Sequence, residues 1–184
     1  LKVMDFDCNA VPAGAIGRLV VRACSNFGGY LKRPQLNATD ADGWVYVADR
    51  ENHRVQVFDG NGRYETQWNN LHRPCALCRC GGKQANFIIG ELGPGLAVNR
   101  KVPNLGPRLS IVDAKGNRIA RLGGENGPGV EAGKFLAPHG IAMDSRGDIY
   151  LGEVGVTDWK TSFPDTPMPP EVAVSRCLQK LEKI

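Results

Sequence analysis

The chain has 184 residues, 42% of them hydrophobic and 23% charged, and its 23 Lys and Arg against 19 Asp and Glu give a formal net charge of +4. No apolar run approaches the ~20 residues that a membrane-spanning helix requires, and the basic residues are interspersed with acidic ones, so neither a membrane nor a nucleic acid is expected as partner. The 23 glycines and 12 prolines point to a turn-rich β protein.

Residues 1–32 match the later pattern only loosely; Arg18 to Arg22 and Gly29 to Leu31 read as the tail of a preceding unit. From residue 33 the chain repeats itself. Arg33-Pro34-Gln35-Leu36 through Trp44-Val45-Tyr46-Val47 aligns without a gap on Ala137-Pro138-His139-Gly140 through Asp148-Ile149-Tyr150-Leu151, 104 positions later. A third copy opens at Arg73-Pro74-Cys75 and reaches its apolar run, Phe87-Ile88-Ile89-Gly90-Glu91, after a short insertion. The first of these copies predicts an inner strand at Leu36 to Thr39 and a second strand at Trp44 to Ala48; the last predicts strands at Ile141 to Met143 and Asp148 to Gly152.

Each copy continues into a hairpin. Arg54-Val55-Gln56-Val57-Phe58 and Arg108-Leu109-Ser110-Ile111-Val112 both run into an Asp-x-x-Gly turn, where glycine takes positive φ at little cost, and then return as a further strand. Four short antiparallel strands per copy, recurring at about 40 residues, are how propeller blades appear in sequence. The fold class is therefore all-β, a β-propeller of four-stranded blades. Residues 33–184 hold three to four blades, with 1–32 as an unmatched segment. The connections at Gly93 to Pro107 and Gly123 to Ala137 read as insertions. Pro170 to Ile184, with Val172, Val174, Leu178 and Leu181, suits a last strand in preference to a short helix.

Six cysteines stand at 8, 24, 75, 78, 80 and 177. Their even number permits disulfides, and Cys75-x-x-Cys78-x-Cys80 offers thiolates to a soft metal or, alternatively, small core side chains. Cys78 and Cys80, two apart on a strand, face the same side. No secretion signal is visible in a chain that opens at Leu1; the compartment is left open by the sequence, with a secreted or periplasmic setting favoured.

Val47-Ala48-Asp49-Arg50-Glu51-Asn52-His53-Arg54-Val55-Gln56-Val57-Phe58 resembles an NHL repeat. Its Ala-Asp-Arg-Glu-Asn and Arg-Val-Gln segments, with Gly95-Leu96-Ala97-Val98-Asn99, Ala137-Pro138-His139-Gly140-Ile141-Ala142 and Gly147-Asp148-Ile149-Tyr150-Leu151-Gly152-Glu153 downstream, resemble the bacterial peptidyl-α-hydroxyglycine α-amidating lyase-like family over about residues 33–160. The resemblance implies a six-bladed propeller, of which this chain would form a partial arc. It also implies a zinc ion held on the axis by histidines from the starts of inner strands, with calcium as a second implied ion. It places His139 as the metal ligand and Arg50 as the catalytic arginine that binds a substrate carboxylate. Gln35 stands where the repeat would put a second histidine, and Gly140 where the family often has Asp.

The alternative readings of these residues are structural. His139 as a strand-capping residue, Arg50 as an ion-pair partner of its neighbours, and Asp49, Glu91 and Glu153, which recur once per repeat, as scaffold carboxylates account for the same pattern. Trp44 and Tyr46 read as packing residues. Two functions follow. One is a zinc-dependent carbon–nitrogen lyase, or a related hydrolase, acting on a small amide, ester or lactone at the propeller axis. The other is a non-catalytic NHL binding module that presents the loops at Gly90 to Pro107 and Gly123 to Pro138 to a protein or glycan partner. Because an open arc leaves blade faces uncovered, three alternatives stand: a fragment of a longer propeller, a homodimer that closes the ring, or edges covered in another way.

Overall fold

The computed structural model describes residues 2–4, 18–20, 43–80, 85–125, 127–174 and 177–183. Twelve strands and two short helices make up these residues. Strands β1 (Lys2–Met4) and β2 (Arg18–Val20) form an antiparallel pair. The expected inner strand at 36–39, the remainder of the 1–32 segment, and Cys8 and Cys24 lie outside the described residues.

Three antiparallel sheets follow in chain order. The first holds β3 (Val45–Asp49), β4 (Arg54–Phe58) and β5 (Tyr64–Trp68). The second is a complete four-stranded blade: β6 (Pro74–Arg79), β7 (Phe87–Glu91), β8 (Arg108–Val112) and β9 (Arg118–Leu122). The third holds β10 (Pro138–Met143), β11 (Ile149–Glu153) and β12 (Leu178–Leu181). Each sheet is a meander of neighbouring strands. Strand β3 packs on β6, and β10 lies along β6 and β7, so successive sheets stack face to face into a propeller-like arc.

The turns explain why the strands stop where they do. Asp59, Asp113 and Asp144 each accept two backbone N–H bonds through one carboxylate oxygen, from residues two and four positions on, at 2.8–3.0 Å. Gly62, Gly116 and Gly147 then adopt φ of 81°, 82° and 93°, a conformation that costs an L side chain about 1–2 kcal/mol. At Gly116 the Trp68 ring from the preceding sheet also leaves no room for a Cβ.

Two apolar layers separate the sheets. Val55, Val57, Trp68, Phe87, Ile89 and Val112 fill the space between the first and second, with the Tyr46 ring tilted against Trp68 and Phe87 at centroid distances of 5.3 and 4.4 Å. Ala76, Cys78, Ile88, Leu109, Ile141, Ile149 and Leu151 fill the space between the second and third, and Cys80 packs beside them. Cys78 and Cys80 thus share a face, as their spacing requires. Trp44, at 37% exposed, stays near the surface.

One element was not expected. Between β11 and β12 the chain forms α1 (Gly155–Ser162) and α2 (Pro170–Val174), so the segment from Pro170 yields both a short helix and a strand. Neither helix has the length to persist alone. They are held by Trp159, which packs with Leu136 and Val172, stacks on Phe163 at 4.4 Å and donates its indole N–H to the Thr166 carbonyl at 2.9 Å.

Candidate functional site

The strand directions bring one end of all three sheets together: the ends of β3, β7 and β11, the starts of β4, β8 and β12, and the starts of β6 and β10. Asp49, Glu91 and Glu153 occupy the last position of β3, β7 and β11. Their side chains turn back into their own sheets. Glu91, fully buried, accepts Nε and Nη2 of Arg108 at 2.9 and 2.7 Å, the Ser110 hydroxyl, and the backbone N–H of His72 at 2.5 Å. Glu153 accepts the backbone N–H groups of Leu136 and Ala137 at 2.6 and 3.1 Å and the Gln179 amide at 2.5 Å.

Asp49 accepts Asn52, Arg54 and Gln56, each at 2.8 Å. The Arg54 hydrogen bond, followed by that from Asn52, holds the Asp49 carboxyl below the ordinary carboxylate range. In each sheet the carboxylate therefore clasps the strand that follows its own: Arg54 and Gln56 on β4, Arg108 and Ser110 on β8, and Gln179 on β12. In the second and third sheets it also clasps the backbone leading into the inner strand. These partners all belong to the scaffold.

Arg50 projects from the short 3-10 turn between β3 and β4, and Glu51 pairs with it at 2.8 Å. Glu51 also accepts from Arg73 at 3.3 Å, and Arg73, foremost among its neighbours, lowers the Glu51 pKa. Arg50 lies against Cys75, at the bulge between Pro74 and Ala76 on β6. Burial pushes the Cys75 thiol up, while the Arg50 charge and hydrogen bond oppose the shift and Asp158 of α1 adds to it.

His139 holds the aligned place on β10, at the bulge between Pro138 and Gly140, and is exposed. Arg50 and His139 thus sit at the same end of the arc, on different sheets. Among the described residues no three His, Cys, Asp or Glu side chains converge as a metal site. The thiol cluster is divided for a plain reason: Cys78 and Cys80 point into the core while Cys75 stays at the strand start beside Arg50. All four described cysteines are free thiols.

A histidine pair escaped the sequence reading. His53 takes a left-handed conformation at φ 58° and stacks on His72, with ring centroids 4.5 Å apart and planes 12° from parallel. The Arg73 backbone N–H donates to His53 Nδ1 at 3.1 Å. Burial first, then the His53 charge, lowers the His72 pKa. The pair is 19 positions apart in sequence and meets only because both residues lie in connections at this end of the arc, so local spacing carries no signal for it.

The connection 92–107 is pinned along its length. Arg73 Nη1 donates to the Gly93 carbonyl at 3.3 Å, the Leu96 N–H donates to Asn99 Oδ1 at 3.1 Å, and Arg108 Nη1 donates to the Asn104 carbonyl at 2.5 Å. On this fixed backbone Leu96, Val98 and Val102 are 65%, 85% and 47% exposed.

Stacked antiparallel sheets of three or four strands, arranged in this way, define a β-propeller-type arc. The NHL repeat family matches residues 38–58, of which 43–58 cover β3, the Arg50 turn and β4, so the chain carries an NHL repeat.

Proposed function

We propose that the chain is a non-catalytic NHL-type propeller module that binds a protein partner through the end of the arc where the inner strands begin. The observation that carries this reading is the 92–107 connection. Three exposed aliphatic side chains, Leu96, Val98 and Val102, stand on a backbone already fixed by hydrogen bonds, beside Arg100 and Lys101. A preordered apolar projection loses little further entropy on docking. It suits a protein groove that is apolar at its centre and acidic at its rim.

The test places a photo-crosslinking benzoylphenylalanine at position 98 of the full chain in a native extract. One discrete adduct, competed by the unmodified chain and lost on Leu96→Asp, is expected. An adduct pattern unchanged by Leu96→Asp, or none at all, overturns the reading.

A second reading, the zinc-dependent lyase, is favoured by one observation: Arg50 reaches Cys75 at the place on β6 that His139 occupies on β10. A four-coordinate zinc site needs more donors than the described residues bring together. The donor set among the described residues does not fit the ion. Metal analysis of the dialysed chain beside His139→Ala decides this reading: stoichiometric zinc lost with the histidine supports it, and zinc indifferent to the histidine, or no zinc, overturns it.

A further inference from the structure

The His53–His72 stack is joined to the root of the 92–107 connection through one residue, Arg73. The Arg73 backbone N–H donates to His53 Nδ1 at 3.1 Å, and its carbonyl accepts the Leu92 N–H at 3.1 Å. Its side chain, 15% exposed, donates to the Gly93 carbonyl at 3.3 Å and to Glu51 at 3.3 and 3.4 Å. The guanidinium lies so close to Gly95 that a Cβ there would meet Cζ at 2.6 Å. Arg73 and His53 both hold left-handed φ, 49° and 58°, which backbone sterics disfavour for L side chains. The hydrogen bonds and the ring stack therefore hold this geometry against the local preference of the chain.

Both imidazoles stand where a proton changes their bonding. A charged imidazole carries N–H at both ring nitrogens and has no acceptor left, so the bond from the Arg73 N–H to His53 Nδ1 does not survive protonation of His53. His72 Nε2 is buried without a hydrogen-bond partner among the described residues, and a proton there becomes an unpaired buried donor. The charges around the pair come from three places. Arg50 and Glu51 stand on the turn that ends at His53, Arg73 leads into β6, and Glu91 and Arg108 lie where β7 ends and β8 begins. Burial first, then His53, and after them Arg73 and Arg108 hold the His72 pKa below its ordinary value of 6.5, against the opposing pull of Glu91. The closed stack thus binds fewer protons than an opened one. Its stability is present above the ordinary value and is lost as pH falls from there toward the lowered one.

We propose that the His53–His72 stack is a pH latch on Arg73: with both rings neutral it fixes the root of the 92–107 connection and so the placement of Leu96, Val98 and Val102, and protonation in the mildly acidic range frees Arg73 and lets this projection move. The bonds further along, from the Leu96 N–H to Asn99 Oδ1 and from Arg108 to the Asn104 carbonyl, involve no histidine. The projection therefore swings on its root and keeps its own turn. A docking surface that swings away loses affinity on acidification. That consequence rests on the protein-partner reading above; the latch itself is read without a partner.

The experiment is NMR of the full chain alone, from about pH 8 to about pH 4.5, a span that brackets the imidazole range. It follows the imidazole signals of His53 and His72, the methyl groups of Leu96, Val98 and Val102, and those of the buried Ile89, Leu109 and Leu151 as a reference. The expected result is a shift of the three loop residues with the midpoint of the imidazoles while the buried methyls keep their positions. In the double variant His53→Asn with His72→Phe, Asn keeps an acceptor and tolerates the left-handed φ, Phe keeps a stacking ring, and neither titrates; its loop methyls are expected at their neutral-pH positions throughout. Imidazoles that stay neutral over the whole range overturn the proposal. So do loop methyls that ignore the titration, that move as much in the double variant, or that move only together with the buried ones. If the double variant does not fold, Gly95→Ala decides, because its Cβ displaces the Arg73 guanidinium from beneath the connection. Its loop methyls are expected off their wild-type positions at pH about 8 and indifferent to the imidazoles; loop methyls that still follow the titration overturn the latch. A crosslink at position 98 that fails at every pH strikes the docking reading and leaves these outcomes as they stand.

Discussion

Removing the Glu91 carboxylate tests the scaffold reading of the three aligned acids most directly. Glu91 is 0% exposed and Arg108 is 4% exposed, and the two are joined by paired bonds of 2.9 and 2.7 Å. Truncation to Ala leaves the guanidinium, the Ser110 hydroxyl and the His72 N–H without their acceptor in a region closed to water. Breaking one side of a buried ion pair costs about 3–5 kcal/mol, a large part of a domain's typical stability of about 5–15 kcal/mol. Glu91→Gln keeps an acceptor oxygen and removes the charge, so about 1–3 kcal/mol is expected.

The double substitution Glu91→Leu with Arg108→Met replaces the pair by apolar groups of similar volume. It is expected to cost less than Glu91→Ala alone. Urea unfolding followed by tryptophan fluorescence reads these differences as shifts in midpoint at constant slope. A Glu91→Ala loss below about 1 kcal/mol, or a double variant as unstable as the sum of its parts, refutes the reasoning.

Three further outcomes follow from the same structure. Because Arg54 and Asn52 lower the Asp49 pKa from 3.8, its contribution to stability is present above the unfolded value and is lost as pH falls through the folded one. The stability gap between wild type and Asp49→Asn should therefore be flat from neutral pH to about 5 and shrink below it; a gap that widens in acid contradicts the assignment. Arg50→Ala removes the charge that opposes the upward shift of the Cys75 thiol, so the pH midpoint of Cys75 alkylation, read by peptide mass spectrometry, should move up; a downward move contradicts the contact. Gly116→Ala meets both a φ of 82° and the Trp68 ring, and about 2–5 kcal/mol is expected. Gly127→Ala, at φ 73° with open space around it, should cost about 1–2 kcal/mol, and equal losses in thermal unfolding would remove the packing argument.

The elements that sequence made legible are those written in period-two patterning and turn chemistry. Val55, Val57, Leu109 and Ile111 alternate with polar residues, and their Asp-x-x-Gly turns fold as that pattern demands. The recurrence of Asp49, Glu91 and Glu153 marked a scaffold position before any contact was visible, and their hydrogen bonds place them in it. Helix α1 was invisible because Gly155-Val156-Thr157 is a poor helix start, and its order comes from Trp159 packing on residues some 13 to 23 positions away. The His53–His72 stack and the Arg50–Cys75 contact depend on which connections share an end of the arc. That is a property of how sheets stack and leaves no periodic trace.

The carboxylate clasp also bears on how the chain tolerates insertion. The three clasps lie just before the connections from β3 to β4, β7 to β8 and β11 to β12, and these differ widely in length: 50–53, 92–107 and 154–177. Once the acid has tied the end of one strand to the start of the next, the ends of the excursion are already close. Each doubling of its length then adds only about 0.6 kcal/mol of closure entropy. New segments can be spliced there, helices included, while the strand register on either side stays fixed, so the same end of the arc can change what it presents without refolding the sheets beneath it.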